Sequence, residues 1–302
     1  MKKTLAMMTA AMMVAAGALA GCGSSSSTPA ATTAAATEKA TTAAATEAAT
    51  DAATTEAAGD TATAAEGTVK TPSGKFTVGF DQEFPPMGFV GDDGQFTGFD
   101  LDLAKEVASR LGLEFVPQPI NWDAKDMELD SGNIDCIWNG FTMQGREDAY
   151  TWVGPYMANN QVFVVTADSD IASKADLAGK AVEVQKDSSG LAALQGDAEL
   201  SASFGSMTEV ADYNTALMDL ESGACDAVCM DSIVAGYQIK SSGKDMKILD
   251  DTLAAEEYGI GFKKGEDELA KAVHDTLMEM KDDGTVAKIS NDWFGSDVFT
   301  LK

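Results

Sequence analysis

The sequence predicts an α/β protein of two similar lobes, and two observations carry that prediction. One is an internal repeat. Met127-Glu128-Leu129-Asp130-Ser131-Gly132-Asn133-Ile134-Asp135 returns as Met218-Asp219-Leu220-Glu221-Ser222-Gly223-Ala224-Cys225-Asp226, 91 residues later. Each copy reads as the last turn of a helix, closed by a glycine in the left-handed region, and then a tight connection into a strand. The other is the run directly after each copy: Cys136-Ile137-Trp138 and Ala227-Val228-Cys229-Met230 are short and wholly apolar. Such runs, joined to helices through short loops, mark parallel strands covered on both faces.

The remaining elements fall into line along the chain. Phe76–Phe80 is a first strand, and Asp100–Leu111 is an amphipathic helix stopped by Gly112. Gln161–Thr166 is a strand leaving the first lobe, and Ala181–Gln185 opens the second. Tyr258–Phe262 brings the chain back, and Glu268–Met280 is a closing helix ended by Asp283-Gly284. One lobe therefore takes residues 73–165 with 259–302, and the other takes 166–258. In open α/β sheets a ligand sits beyond the carboxyl ends of the strands. Here that rule gathers the loops after Phe80, Trp138, Gln185 and Met230 around one cleft.

The N-terminus has a different character. Lys2 and Lys3 precede an almost wholly apolar run from Leu5 to Ala20. That run is too short to cross a hydrocarbon core of about 30 Å comfortably, and it has the charge, length and small-residue ending of a secretory signal over residues 1–21. The ending, Leu19-Ala20-Gly21-Cys22, resembles a bacterial lipobox, in which cleavage exposes a cysteine for lipidation. The alternative is a plain signal peptide with an incidental cysteine; the serine run after Gly23 favours the lipobox. Lipid chains on Cys22 would anchor the mature chain by burying methylenes in the membrane. From Gly23 to Thr71 the sequence is mainly Ala, Thr, Ser and Glu, with no aromatic residue, Ile or Leu. It lacks the apolar surface to offset chain entropy, so residues 22–72 read as a disordered tether, with a glycosylated stalk as the alternative.

Composition excludes several functions. A net charge of −27 argues against nucleic acid, because phosphate binding needs clustered Lys and Arg. One histidine in the chain, His274, leaves no histidine-based zinc site, and no cofactor is implied. Beyond Cys22 the cysteines are Cys136, Cys225 and Cys229. The last two, four residues apart along a strand, would have Cα atoms about 13 Å apart, beyond the roughly 7 Å that a disulfide can bridge. Buried free thiols are the expected state.

Two arginines stand against nineteen lysines. Arg110 closes a helix and reads as a surface charge. Arg146 comes soon after the repeat strand, behind Asn139-Gly140-Phe141-Thr142-Met143-Gln144-Gly145. Its planar fork can meet a carboxylate through two parallel hydrogen bonds, which lysine cannot do. The competing role is a loop-stabilising ion pair with Glu147 or Asp148.

At these residues the chain resembles the extracellular solute-binding proteins, family 3, which serve polar amino-acid ABC transporters. The resemblance covers nearly all of 76–294. It runs through Val78-Gly79-Phe80-Asp81-Gln82-Glu83-Phe84-Pro85-Pro86, Gly98-Phe99-Asp100-Leu101-Asp102-Leu103-Ala104, both Ser-Gly-x-x-Asp copies, Asp176-Leu177-Ala178-Gly179-Lys180 and Asp283-Gly284-Thr285-Val286-Ala287-Lys288-Ile289. It implies a type II periplasmic-binding-protein-like fold, with two α/β lobes joined by hinge strands. It also implies capture of a free, polar amino acid outside the cell and delivery to a membrane permease and its ATPase, by a monomer.

By the same resemblance, Arg146 would pair with the ligand α-carboxylate, with backbone donors near Thr142 and Ser189. The α-ammonium would meet the Gly140 carbonyl, the Thr142 hydroxyl and Asp231. Asn139, Phe141 and Ser188 complete that wall. Asp81, Phe84, Trp122 and Trp138 are candidates for the side-chain pocket, although Trp138 reads slightly better as core. Asp81 and Glu83 hint at a polar or cationic ligand. The alternative role for Asp231 is a helix cap or a free surface charge. Two departures bear on the ligand's pose: the Thr142–Arg146 loop is one residue shorter than the family's usual spacing, and Asp187-Ser188-Ser189 replaces the usual Gly-Ser-Thr. The alternative functions are an extracellular sensor and a dehydratase on the same fold. Nothing singles out a catalytic acid, so the chain reads as a binding protein and not an enzyme.

Overall fold

A nine-stranded mixed sheet forms the spine of the protein in its computed structural model, which describes Thr71 and residues 73–302. The signal, Cys22 and almost all of the tether lie outside the described residues. The chain starts with β1 (Lys75–Phe80) and a small antiparallel sheet of β2 (Glu83–Phe84), β3 (Gly88–Val90) and β4 (Phe96–Thr97). Next come α1 (Phe99–Leu111), β5 (Glu114–Pro119), a 3₁₀ turn at Trp122–Ala124, α2 (Lys125–Asp130), β6 (Cys136–Thr142) and β7 (Tyr150–Thr166). The middle of the chain gives β8 (Ala181–Gln185), α3 (Ser189–Gly196), α4 (Ala198–Ser203), β9 (Ser206–Val210), α5 (Tyr213–Ser222), β10 (Ala227–Asp231), α6 (Ser232–Ser242) and β11 (Met246–Ile248). It closes with β12 (Ala254–Lys263), α7 (Asp267–Asp282) and α8 (Thr285–Phe294).

The strand order is β5-β1-β6-β12-β7-β10-β8-β9, with β11 beside β7. Both outer thirds are parallel: β5, β1 and β6 on one side, and β10, β8 and β9 on the other. Between them β12 and β7 run antiparallel to each other and to their neighbours. Helices cover both faces, as parallel strands require. The largest apolar cluster packs α1, α5 and α7 against the sheet, around Trp138, Tyr156, Tyr213 and Tyr258. Opposite it, Phe163, Leu177, Leu191 and Leu194 fill one lobe, and Leu129, Ile137, Phe141 and Tyr150 fill the other.

The repeat does the same structural work twice. Gly132 and Gly223 adopt φ of 73° and 77° where their helices end. The aspartate at the end of each copy then pins the neighbouring strand. Asp135 donates its amide to the Thr77 carbonyl (2.8 Å) and accepts the Thr77 amide at Oδ2 (2.6 Å). Asp226 makes the matching pair with Ala181, at 2.8 Å each. This pairing, 91 residues apart in sequence, is physical evidence that the two lobes share one plan.

Two strands are longer than the sequence suggested. β7 runs through seventeen residues instead of six, and β12 begins at Ala254 instead of Tyr258. Polar residues Asn159, Gln161 and Glu256 interrupt the apolar pattern there, but they bond one another across the strands. Arg110 also does more than cover surface: it bonds Glu106, Asp283 and Thr285, tying α1 to the α7–α8 turn. Cys136, Cys225 and Cys229 are buried free thiols. Among the described residues no helix is long and apolar enough to cross a membrane.

Candidate functional site

Loops at the carboxyl ends of β1, β6, β8 and β10 meet over the sheet, as the topology rule requires. Phe84, Trp122, Asn139, Gly140, Thr142 and Arg146 from one lobe, with Gln185, Ser188, Ser189 and Asp231 from the other, line a central cavity of about 10 Å³. Larger cavities of about 800 and 880 Å³ open on either side of it.

On the first lobe, Gly140 has φ 57°, and a Cβ there would meet Phe84 at 2.9 Å and Tyr258 at 3.1 Å. Only glycine fits that space in that conformation. Its amide donates to Asp100 Oδ2 (2.7 Å), and Asp100 also accepts the Tyr156 hydroxyl at 2.9 Å. Burial raises the Asp100 carboxyl to about 7, against the pull of those two donors. Arg146 stands over the Phe141 ring, 5.1 Å from its centroid. Its Nη1 donates to the Thr142 carbonyl (3.2 Å) and its Nη2 to the Asp187 carbonyl (3.3 Å). Among the described residues Arg146 forms no ion pair with Glu147, Asp148 or any other carboxylate. The competing role named from sequence is therefore not the one adopted.

On the second lobe, Ser188 caps α3, its hydroxyl accepting from the Leu191 amide (3.1 Å). That leaves the positive end of α3 facing the cavity. Ser189 is bonded to Thr142 across the cleft (3.2 Å). Asp231 occupies the N-cap position of α6 but makes no side-chain cap bond. Its carboxylate accepts from Tyr258 Oη (2.7 Å), Asn159 Nδ2 (2.7 Å) and Tyr213 Oη (3.4 Å). Asn159 also donates to Glu256 at 2.6 Å, so one amide bridges two buried carboxyls. Burial, and then the Glu256 charge, push Asp231 well above the ordinary carboxylate range.

Not every residue named from sequence reaches the central cavity. Phe141 is fully buried and packs with Trp122, Tyr150 and Trp152 beneath Arg146. It shares a strand face with Ile137, four residues earlier, as two-residue alternation dictates. Trp138 is core, edge-on to Tyr156. Asp81 lines the larger of the two flanking cavities and accepts from Gln185 Nε2 (2.6 Å); burial raises it to about 6. Sequence reasoning missed Gln185 and Glu256. Gln185 ends a strand at the cleft, which is a usable signal. Glu256 sits in what reads as a loop and offers none. Among the described residues no cluster of His, Cys, Asp or Glu could hold a metal ion.

Comparisons with known proteins establish the family and the fold. The sequence profile of the bacterial extracellular solute-binding proteins, family 3, matches residues 76–296. The L-cystine-binding protein TcyJ of Escherichia coli is 31% identical over 231 residues, covering 74% of this chain and 84% of that protein. The histidine-binding periplasmic protein of Salmonella typhimurium is 29% identical over 245 residues, covering 74% and 89%. Among solved structures, a substrate-binding protein of an ABC uptake transporter from Streptococcus pneumoniae with bound histidine superposes with a TM-score of 0.73. It is 34% identical, covering 76% of this chain and 95% of that one. The fold is thus the type II one of periplasmic amino-acid-binding proteins, with two lobes. With the profile spanning most of its folded part, this chain belongs to the bacterial extracellular solute-binding proteins, family 3.

Proposed function

We propose that this protein is a lipid-anchored extracellular receptor that captures a free amino acid between its lobes and hands it to an ABC importer. One observation carries the reading: Arg146, a guanidinium with no carboxylate partner among the described residues, and a buried carboxyl, Asp231, reach the same small cavity from opposite lobes. A zwitterion needs one partner of each sign a few ångströms apart, both desolvated with it. In this reading Arg146 takes the α-carboxylate, helped by the amide end of α3 at Ser188 and Ser189. Asp231, with Thr142 and Gly140, takes the α-ammonium, and Phe84 and Trp122 wall the side chain. Phe141 supports that wall from behind, and Asn139 lines the cavity beside Gly140. The lobes divide inside the two connecting strands β7 and β12.

The central cavity is too small for any amino acid with the lobes in this arrangement, so entry requires them to part. Hinge motion about a pair of connecting strands is a standard route to such closure. The flanking cavity on the Asp81 side is lined by Asp81, Glu83, Asp123, Glu128, Glu209 and Asp212, against one lysine, Lys186. That balance favours a polar or cationic side chain. The relatives named for cystine and histidine fit the same broad class. Cys22 and the tether would hold the receptor near its permease.

A thermal-shift screen of the full chain against the free amino acids tests the proposal, since a ligand that binds only the folded state raises apparent stability by mass action. At least one polar amino acid is expected to raise Tm. If none does at millimolar concentration, the reading fails.

A further inference from the structure

We infer that Lys125 and Asp187 are positioning residues of the clamp: they pair across the cleft only when the lobes close, and the pair holds Arg146 and Trp122 in place. The inference rests on the reading of the cleft as a binding site, but its test is separable from it. Lys125 opens α2 on the first lobe and is 2% exposed, an unusual depth for a lysine. Its ammonium forms an ion pair with the Asp187 carboxylate of the second lobe. Burial lowers the affinity of Lys125 for its proton, and Asp187 works against that. A buried ammonium is costly unless paired and hydrogen-bonded. Since the partner is on the other lobe, parting the lobes leaves the buried Lys125 ammonium without its carboxylate, while Asp187, already 52% exposed, stays in water. The pair therefore belongs to the closed arrangement.

What the pair touches gives it a role beyond latching. Lys125 Nζ also donates to the Asp187 carbonyl (3.4 Å), the same oxygen that accepts Arg146 Nη2 (3.3 Å). Arg146 Nη1 is held by the Thr142 carbonyl on its own lobe. The guanidinium is thus gripped at two corners, one grip coming from the opposite lobe, and Lys125 fixes where that second grip stands. Lys125 Nζ lies 5.1 Å from the Trp122 ring centroid and donates to the Trp122 carbonyl (3.4 Å), which orients the aromatic wall as well.

The backbone at Asp187 supports this assignment. Among the described residues it is the one non-glycine with positive φ, at 56°. Glycine would adopt that conformation without strain, and of the other residues Asp and Asn tolerate it best. A carboxylate kept where glycine is the easier choice implies that the carboxylate is used. Other bonds cross the cleft, including Gln185 to Asp81, Ser189 to Thr142 and the exposed Lys186–Asp123 pair. Of these cross-cleft contacts, the Lys125 pair alone brings a buried ammonium against the clamp.

The test uses the full chain in a Cys22→Ser background, with spin labels at Met127→Cys on α2 and Met218→Cys on α5. Both positions are exposed, and the three remaining cysteines are buried. Inter-label distances are measured without ligand and with L-arginine, L-histidine or L-cystine. Lys125→Gln and Asp187→Asn are each expected to deplete the short-distance population of the ligand-free protein. Each should speed release of whichever probe binds by about tenfold, between the loss expected for an exposed pair and for a fully buried one, and leave the association rate nearly unchanged. The double variant should release no faster than the faster single. Asp187→Asn keeps a residue that tolerates positive φ, so its effect reports the charge and not the backbone. Identical ligand-free distance distributions in all four proteins, or additive effects on release, would overturn the inference. If none of the probes binds, the capture reading is in difficulty, while the ligand-free distances still decide the latch.

Discussion

Replacing Gly140 by alanine tests the geometry of the cleft through a magnitude that can be worked out in advance. The residue sits at φ 57°, where a Cβ costs about 1–2 kcal/mol against the following carbonyl. The backbone cannot swing away easily, because its amide is tied to Asp100 at 2.7 Å. The new methyl would also stand 2.9 Å from Phe84 Cε1 and 3.1 Å from Tyr258 Cε2, and overpacking of that kind adds about 1–3 kcal/mol. Together the two amount to about 3 kcal/mol, or about 6–12 °C in Tm for a folded part of this size. Gly145 is the control. Its φ is 79°, but a methyl group there would meet no atom within 4 Å, so Gly145→Ala should lose only the backbone part, about 1–2 kcal/mol. Calorimetric melts of both variants measure the difference. If Gly140→Ala melts no lower than Gly145→Ala, Phe84 and Tyr258 do not close over Gly140 as described.

Four further outcomes are expected. Arg146→Ala should weaken amino-acid binding by about 2–5 kcal/mol, as loss of one partner from a desolvated charge pair does; near-normal affinity by titration calorimetry would remove Arg146 from the clamp. Asp231→Asn should weaken binding while leaving the ligand-free fold intact. Because burial keeps the wild-type Asp231 carboxyl protonated more readily than usual, binding of an ammonium should also release a proton from the wild type but not from the variant, seen as a buffer-dependent binding enthalpy. Asp100→Asn should flatten the pH dependence of stability. The wild-type carboxyl rises from 3.8 to about 7 on folding, so the folded state holds more protons across that window and stability falls as pH climbs through it; denaturant melts at pH 4 and pH 8 make the comparison. Cys22→Ser should move the protein from the membrane fraction to the medium, and persistence in the membrane would refute lipidation at that residue.

Much of this protein was legible in its residues because periodicity and glycine placement are local signals. The repeat located two helix–strand connections, and the structure shows Asp135 and Asp226 pinning Thr77 and Ala181 in the same way. Arg146 stood out because its residue type suits carboxylates and its position lies just past the strand end. The polar cluster of Asn159, Gln161 and Glu256 was not legible. Asn159 and Glu256 lie outside the strands read from sequence, and Gln161 stands only at the start of one; each interrupts an apolar run. They belong to strands because their side chains satisfy one another over sequence separations of about a hundred residues, and no local window contains both partners. Phe141 illustrates the opposite error. It lies within the right motif, but strand alternation turns it away from the cleft.

The sequence by itself determined the α/β class, the duplication and the residue types available to meet a zwitterion, since all three rest on short-range pattern and chemistry. Tertiary structure alone decided that Arg146 and Asp231 share one cavity, and that Asp81 faces Gln185. It also decided that Lys125 is buried against Asp187. Those are contacts between lobes, set by how two separately legible halves meet, and burial is a property of that meeting and not of either stretch of sequence.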